Sequence, residues 1–221
     1  MSKIKILIAD DHAVVRDGTR QILAQEEDLD VIAEAADGEE AVYLAGSTGP
    51  DVAIIDIAMP GIDGIEATRQ IKSLYPDIAV LILSAYDDDQ FVFGLLEAGA
   101  AGYLLKSVRG RELVDAVRQV YAGESVLHPA IARKVLNRFV PSPGQVSAKK
   151  SPELLSEREI EVLRLATQGL SNQDIADKLS LSLRTVQAHL GHIFNKLKVS
   201  SRTEAVVHAL KEGWVTLEDI P

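Results

Sequence analysis

Short apolar runs alternate with longer amphipathic stretches through about the first 125 residues. This alternation is the feature of the sequence that most limits which folds the chain can adopt. Ile4–Ala9 and Val52–Asp56 are nearly unbroken in apolar residues, which is typical of strands that helices cover on both faces. Because a helical pattern follows each run, the sequence predicts an α/β domain with a doubly wound, five-stranded parallel sheet. The expected strands are Ile4–Ala9, Asp30–Ala35, Val52–Asp56, Ala79–Ser84 and Ala101–Leu104, and the expected helices lie near residues 13–25, 38–46, 63–74, 88–98 and 109–122.

Composition excludes several classes of protein. Of 221 residues, 47% are hydrophobic and 25% are charged, which indicates a globular chain long enough for two domains. No apolar run approaches the ~18 residues of a membrane span, and the amino terminus lacks the apolar core of a signal peptide. The absence of cysteine excludes disulfides, zinc–thiolate sites and cysteine nucleophiles. We therefore expect a cytoplasmic protein with no membrane partner.

A linker is predicted after the sheet domain. Pro129–Phe139 has apolar residues at helical spacing and begins with proline, which suits the first position of a helix. Val140–Pro152 is rich in Pro, Gly, Ser and Lys and has no periodicity. The expected domains are therefore 1–125, a linker helix and flexible linker at 126–152, and a second domain at 153–221.

The second domain is predicted to be a small, all-α unit of four helices. Ser156 and Glu159 form a capping box, in which serine and acid cap each other's backbone. Ser171 and Asp174 form another, and a third helix and a fourth, Thr203–Gly213, follow. A helix, a tight turn and a second helix make a helix-turn-helix.

The formal net charge of −10 is distributed unevenly. Residues 1–124 hold 10 basic and 23 acidic side chains, whereas residues 178–203 hold five basic side chains and no acid. A positive segment of this kind attracts the phosphate backbone of nucleic acid. The charge pattern therefore favours nucleic-acid binding by the second domain alone.

The third helix of that domain has two different faces. Val186, Leu190, Ile193 and Leu197 are spaced by four, three and four residues and form one apolar stripe. The opposite face, which has no acid, carries Arg184, Gln187, Ala188, Gly191 and Asn195. In the major groove of DNA, glutamine can read adenine, and arginine can read guanine or hold phosphate.

Acidic residues follow two strands of the predicted sheet. Asp10 and Asp11 follow the first strand and Asp56 ends the third, so their carboxylates meet at one edge. Three such charges need a cation, and oxygen ligands select Mg²⁺ or Mn²⁺. Ser84 and Lys106 end the fourth and fifth strands. A metal, a hydroxyl and an ammonium around one carboxylate are suited to stabilise a phosphoryl group that passes to it.

Residues 1–125 resemble the receiver domain of response regulators. The matching residues are the pair Asp10–Asp11, Asp56 followed by IAMPGIDGIE, Ser84-Ala85, and Tyr103-Leu-Leu-Lys106. The resemblance implies that Asp56 accepts phosphate from a sensor histidine kinase. The Mg²⁺ site it implies has Asp11, Asp56 and the backbone carbonyl of Ala58 on the metal, and Asp10 holds metal-bound water.

Three further roles follow from the same resemblance. Ser84 and Lys106 contact the phosphoryl oxygens, and Tyr103 is a switch that turns inward when Ser84 moves. The protein is then not a metabolic enzyme, although slow autodephosphorylation is implied.

The string from Leu155 to Val206 resembles the LuxR-type helix-turn-helix of the NarL/FixJ subfamily. The resemblance implies that Ser171–Leu179 is the scaffold helix, that Leu183–Lys196 is the recognition helix, and that the last helix forms dimers. A homodimer would then bind a two-fold site in double-stranded DNA. Many members have lysine where Gln187 stands, so affinity is expected to depend more on basic residues and phosphate. The expected DNA-contacting residues are Arg184, Thr185, Gln187, Ala188, Gly191, Lys196 and Lys198.

Three functions from different classes remain open at this point. The leading one is a transcription regulator controlled by phosphorylation of Asp56. The second is a Mg²⁺-dependent phosphohydrolase, but Ile57-Ala58 supplies no second Asp as general acid after Asp56. The third is a constitutive DNA-binding or scaffold protein, for which replacing Asp56 with Asn would leave DNA affinity unchanged.

Overall fold

The computed structural model describes residues 3–86, 89–127, 155–212 and 214, with only the backbone of residues 89–91. The predicted helix Pro129–Phe139 and the predicted linker Val140–Pro152 lie outside these residues. Within the described parts of the chain, no helix is both long enough and apolar enough to cross a membrane.

The amino-terminal unit is built on one parallel sheet with the strand order β2-β1-β3-β4-β5-β6. The prediction of five strands is corrected to six, because the two residues Val126–Leu127 pair with β5 at the edge. Two residues are too few to show a period in the sequence. The strands are β1 Ile4–Ala9, β2 Leu29–Ala35, β3 Val52–Ile55, β4 Ala79–Ser84, β5 Gly102–Leu105 and β6 Val126–Leu127.

Helices cover both faces of this sheet, as the doubly wound prediction requires. Alternate residues of β1 show why: Leu7 belongs to one buried cluster, with α2, α3 and α4, while Ile6 and Ile8 belong to the other, with α1 and α5. Each strand therefore contributes to two hydrophobic layers. The helices are α1 Ala13–Leu23, α2 Gly38–Thr48, α3 Gly64–Leu74, α4 Asp89–Glu97 and α5 Gly110–Tyr121.

The carboxyl-terminal unit has the four predicted helices around its own core. The capping boxes of Ser156 with Glu159 and of Ser171 with Asp174 are both formed. Residue Ser180 ends the second of these helices in a left-handed conformation and starts the tight turn before the third. The helices are α6 Glu157–Thr167, α7 Asn172–Leu179, α8 Leu183–Leu197 and α9 Arg202–Lys211.

The two units pack against each other through α9 and the loops before β5 and β6. Val207 of α9 is 3% exposed and belongs to the hydrophobic cluster of α2, α3 and α4. The Thr203 hydroxyl donates to the carbonyl of Ala101 at 2.8 Å, and the Ser201 hydroxyl to that of Ala100 at 3.3 Å. These loops precede their strands, so the helical unit is docked at the edge formed by the strands' amino ends.

Candidate functional site

The carboxyl ends of β1 and β3 bring the predicted acids together. Ala9 and Ile55 are register partners, so Asp10 and Asp56 leave neighbouring strands side by side. Asp10 and Asp56 are each 3% exposed, whereas Asp11 is exposed. Ligand atoms of Asp10, Asp11, His12 and Asp56 all lie within 4.8 Å of one another. Sequence reasoning missed His12, although its position directly after Asp11 was the available signal.

Lys106 lies between the two buried carboxylates. Its Nζ is 2.6 Å from Asp10 Oδ2 and 2.8 Å from Asp56 Oδ2. Burial alone would lower the pKa of this ammonium, but the hydrogen bonds to Asp10 and Asp56 outweigh burial and raise the pKa above its ordinary value. Lys106 therefore keeps its positive charge and reduces the repulsion between the carboxylates.

The two oxygens of Asp56 have different partners. Oδ1 accepts the backbone N–H of Ile57 at 2.8 Å, and Oδ2 accepts Lys106. The following loop is tight, because a Cβ at Gly64 would lie 2.1 Å from the Asp56 carbonyl oxygen. Only glycine fits there without a shift of the backbone. Ala58 lies half-buried in this loop, two residues after Asp56.

Ser84 and Tyr103 lie on β4 and β5 and are completely buried. The Ser84 hydroxyl accepts the backbone N–H of Tyr86 at 3.2 Å, and the Tyr103 hydroxyl donates to the Tyr86 carbonyl at 2.9 Å. Tyr103 is thus turned inward in this structure, and both side chains hold the loop that follows β4. Their predicted roles in a switch remain predictions.

The donor set at this edge suits a hard cation. Three carboxylates and one imidazole offer ligand atoms, and the oxygens dominate. Such a set favours Mg²⁺ or Mn²⁺ over softer metals. The buried charges of Asp10 and Asp56 exceed the single charge of Lys106, so a cation would also balance the site.

Helix α8 has the two faces that the sequence predicts. Val186, Leu190, Ile193 and Leu197 are buried in the core of the helical unit. Gly191 is half-buried, and apart from its own helix backbone no atom of the described residues would lie within 4 Å of a Cβ at this position. The space beside Gly191 is therefore open to a partner. The side chains of Arg184, Gln187, Ala188, Asn195, Lys196 and Lys198 are exposed, and Thr185 is half-buried.

Lys196 has a partner that the sequence did not reveal. Its Nζ donates to Glu159 Oε2 at 2.7 Å, from α8 to α6. Burial would raise the pKa of Glu159, but hydrogen bonds from Lys196 and Ser156 lower it below its ordinary value. Lys196 thus neutralises a buried acid, whereas Lys198 ends α8 in a left-handed conformation with an exposed side chain.

Comparison with known proteins accounts for both units. Residues 6–118 match the response regulator receiver domain, and residues 153–209 match the bacterial regulatory proteins of the luxR family. The chain is 44% identical to the oxygen regulatory protein NreC of Staphylococcus epidermidis over 213 residues, which cover 95% of this chain and 98% of NreC.

Solved structures give the same result along nearly the whole chain. The response regulator ChrA of a heme-sensing two-component system is 40% identical, with a TM-score of 0.54, over 96% of this chain and 98% of ChrA. RcsB, in a structure of two dimers bound to two parallel DNAs, is 26% identical with a TM-score of 0.56, over 96% of this chain and 99% of RcsB. The chain therefore belongs to the two-component response regulators of the NarL/FixJ type, and it is a DNA-binding regulator of transcription controlled by phosphorylation.

Proposed function

We propose that Asp56 is the residue that takes the phosphoryl group, and that a sensor histidine kinase supplies it. The observation that carries this proposal is the pairing of Lys106 with Asp10 and Asp56 at distances of 2.6 and 2.8 Å. The backbone N–H of Ile57 donates to one oxygen of Asp56, and the other oxygen of Asp56 therefore faces Lys106. This is a carboxylate arranged to attack, beside an ammonium arranged to stabilise charge.

In the transfer, an oxygen of Asp56 attacks phosphorus and forms a P–O bond while the P–N bond to the kinase histidine breaks. The imidazole leaves with the electron pair of that bond and takes up a proton. Lys106 and the Ser84 hydroxyl would hold the phosphoryl oxygens. Asp11, Asp56 and the carbonyl of Ala58 would hold Mg²⁺, with Asp10 holding its bound water, and the ion would supply further charge stabilisation. Slow hydrolysis of the aspartyl-phosphate would end the signal.

The output is binding of a homodimer to a two-fold site in double-stranded DNA. The exposed, acid-free face of α8 supports this proposal, because the side chains of Arg184 and Gln187 are exposed on it. The proposed contacts are Arg184, Thr185, Gln187, Ala188, Gly191, Lys196 and Lys198. Since the ammonium of Lys196 is paired with Glu159, we expect Lys198 to contribute more to phosphate binding than Lys196.

The division of labour along the chain is part of the same proposal. Residues 1–125 receive the phosphoryl group, residues 126–152 connect, and residues 153–221 bind DNA in the cytoplasm. Tyr103 would transmit the signal, because its hydroxyl holds the loop that also carries the N–H bound by Ser84.

The proposal is tested by incubating the whole chain with acetyl phosphate and Mg²⁺ and measuring its intact mass beside the Asp56→Asn variant. We expect the native chain alone to gain one phosphoryl group. A gain of one phosphoryl group by both proteins would show that the acceptor is a residue other than Asp56. No gain at saturating Mg²⁺ would refute an acceptor that works without its kinase.

A further inference from the structure

The amino end of α7 is already occupied by an acid of the other unit. The backbone N–H of Asn172, the first residue of α7, donates to Glu124 Oε1 at 3.0 Å. The Asn172 side-chain amide donates to the carbonyl of Ala122, also at 3.0 Å. Glu124 and Ala122 lie in the loop between α5 and β6, so this contact joins the two units.

A buried guanidinium lies beside this contact. Arg202 is 4% exposed and Asn172 is 2% exposed, and Arg202 Nη1 donates to Asn172 Oδ1 at 3.0 Å. Arg202 Nη2 donates to the carbonyls of Ala166 and Leu170. Among the residues that the structure describes, the buried Nε of Arg202 has no hydrogen-bond partner. Arg202 therefore carries a positive charge and a free donor in this region.

Arg202 and Glu124 line the same cavity between the units, with a volume of about 280 Å³. Burial lowers the pKa of Arg202 to about 10, and the charge of Glu124 opposes that shift. An anion at this place meets the positive end of a helix, the backbone N–H of Asn172 and a guanidinium. Two other acids nearby accept hydrogen bonds within their own units: Asp174 from Ser171, and Asp51 from the backbone N–H of Lys5.

We propose that the amino end of α7 is a phosphate-binding position for duplex DNA, and that the Glu124 carboxylate occupies it while the units are docked. This inference rests on the proposed DNA-binding function. It adds a contact outside the recognition helix and a residue of the receiver that competes for it.

The place of α7 in the fold explains why DNA phosphate would reach it. In a helix-turn-helix, the helix before the recognition helix crosses the DNA backbone, and helix amino ends commonly contact phosphate. The eight residues of α7 span about 12 Å, from Asn172 to the turn that leads into α8. Docking leaves the outer face of α8 exposed. Docking therefore competes with DNA at the phosphate contact and leaves the base-reading face uncovered.

A charge change at Glu124 tests the competition. Glu124→Gln keeps the size and the acceptor oxygen but removes the charge. Glu27→Gln makes the same change of net charge at an exposed residue of the same unit, so it is the matched control. Binding of the unphosphorylated full chain to a fluorescent 30-base-pair duplex of mixed sequence is measured by anisotropy at several salt concentrations.

We expect Glu124→Gln to bind about fivefold to tenfold more tightly than the native chain, because a neutral hydrogen bond replaces the charge-assisted one and competes less with DNA phosphate. The slope of log K for DNA binding against log salt concentration should become steeper by about 0.9 in this variant, which is the value for one more phosphate contact. Glu27→Gln should change affinity by less than about twofold. Equal effects of the two substitutions would overturn the inference alone, and absence of binding by all three proteins would overturn the proposed function with it.

A second readout follows the donor itself. The chain has three asparagines, Asn137, Asn172 and Asn195, so ¹⁵N-asparagine labelling gives a spectrum with three backbone amides. We expect the Asn172 amide of Glu124→Gln to shift when the duplex is added. A spectrum in which Asn195 of α8 shifts and Asn172 does not would overturn the phosphate contact.

Discussion

Replacing Lys106 with methionine should expose the electrostatic cost of the paired carboxylates Asp10 and Asp56 in the candidate site. The Lys106 ammonium is within 2.8 Å of two carboxylates, and each of these acids is 3% exposed. Removing one partner of a buried ion pair costs about 3–5 kcal/mol, because the remaining charge is left uncompensated. Lys106 is partly exposed, so we expect the lower end, about 3 kcal/mol of unfolding free energy, in the presence of EDTA.

Mg²⁺ should restore much of that loss. A ligand at 100 times its dissociation constant adds about 2.7 kcal/mol to the stability of the state that binds it. The variant lacks the ammonium that competes for the same oxygens, so it should gain more from Mg²⁺ than the native chain gains. Urea unfolding is followed by far-UV circular dichroism for both units and by the fluorescence of Trp214, the single tryptophan, for the helical unit.

Asp56→Asn is the matched comparison, because it removes a charge of the opposite sign from the same cluster. The double variant Lys106→Met/Asp56→Asn should be more stable in EDTA than Lys106→Met alone. If Lys106→Met were as stable as the native chain in EDTA, with an unchanged gain from Mg²⁺, the electrostatic account of the site would be refuted.

Three other results are expected. Val207→Ala removes two methyl groups that pack on the receiver, which should weaken docking by about 1.5 kcal/mol. Small-angle scattering should then show about a tenfold shift of the equilibrium toward undocked units. Val206→Ala, which packs on the helical core, is the control, and equal expansion of both variants would contradict the docking role of Val207. Burial lowers the pKa of Lys72 to about 8, against 10.5 in the unfolded chain, so the charged Lys72 destabilises the fold fully below pH 8 and not at all by pH 10.5. The unfolding free energy of the native chain should therefore rise between these pH values. In urea unfolding, the rise for Lys72→Met should be less steep than for the native chain by up to about 1.4 kcal/mol per pH unit. Lys198→Gln should reduce the slope of log K against log salt for DNA binding by about 0.9. Lys196→Gln should mainly lower the unfolding free energy, because it leaves Glu159 without its ion-pair partner. A larger change in the salt slope for Lys196→Gln than for Lys198→Gln would refute the assignment of Lys198 as the phosphate contact.

Much of the fold could be predicted because its signals are local. The unbroken apolar run of Val52–Ile55 indicates a strand covered on both faces, and the structure buries all four residues. The spacing of Ser156 from Glu159 and of Ser171 from Asp174 predicts two helix starts, and both capping boxes are formed. The two-residue strand Val126–Leu127 could not be predicted, since its pairing with β5 and not its own pattern makes it a strand.

The candidate site divides in the same way. Asp10, Asp11 and Asp56 are recognisable because each follows a strand, and parallel strands place their carboxyl ends at one edge. The contacts of Lys106 with Asp10 and Asp56 could not be predicted from the sequence, because they depend on the register of the strands. The pairing of Lys196 with Glu159 joins residues 37 apart, and no periodicity reports such a contact.

The sequence by itself determined the two domains, the order of strands β1 to β5 and of helices α1 to α9, the acids of the candidate site and the polar face of α8. These depend on periodicity, caps and residue type, which act over a few neighbouring residues. Only the tertiary structure decided that Val207 packs on the receiver and that Glu124 meets the amino end of α7. Contacts between distant segments depend on the shapes of two finished surfaces, and those surfaces exist only after each domain has folded.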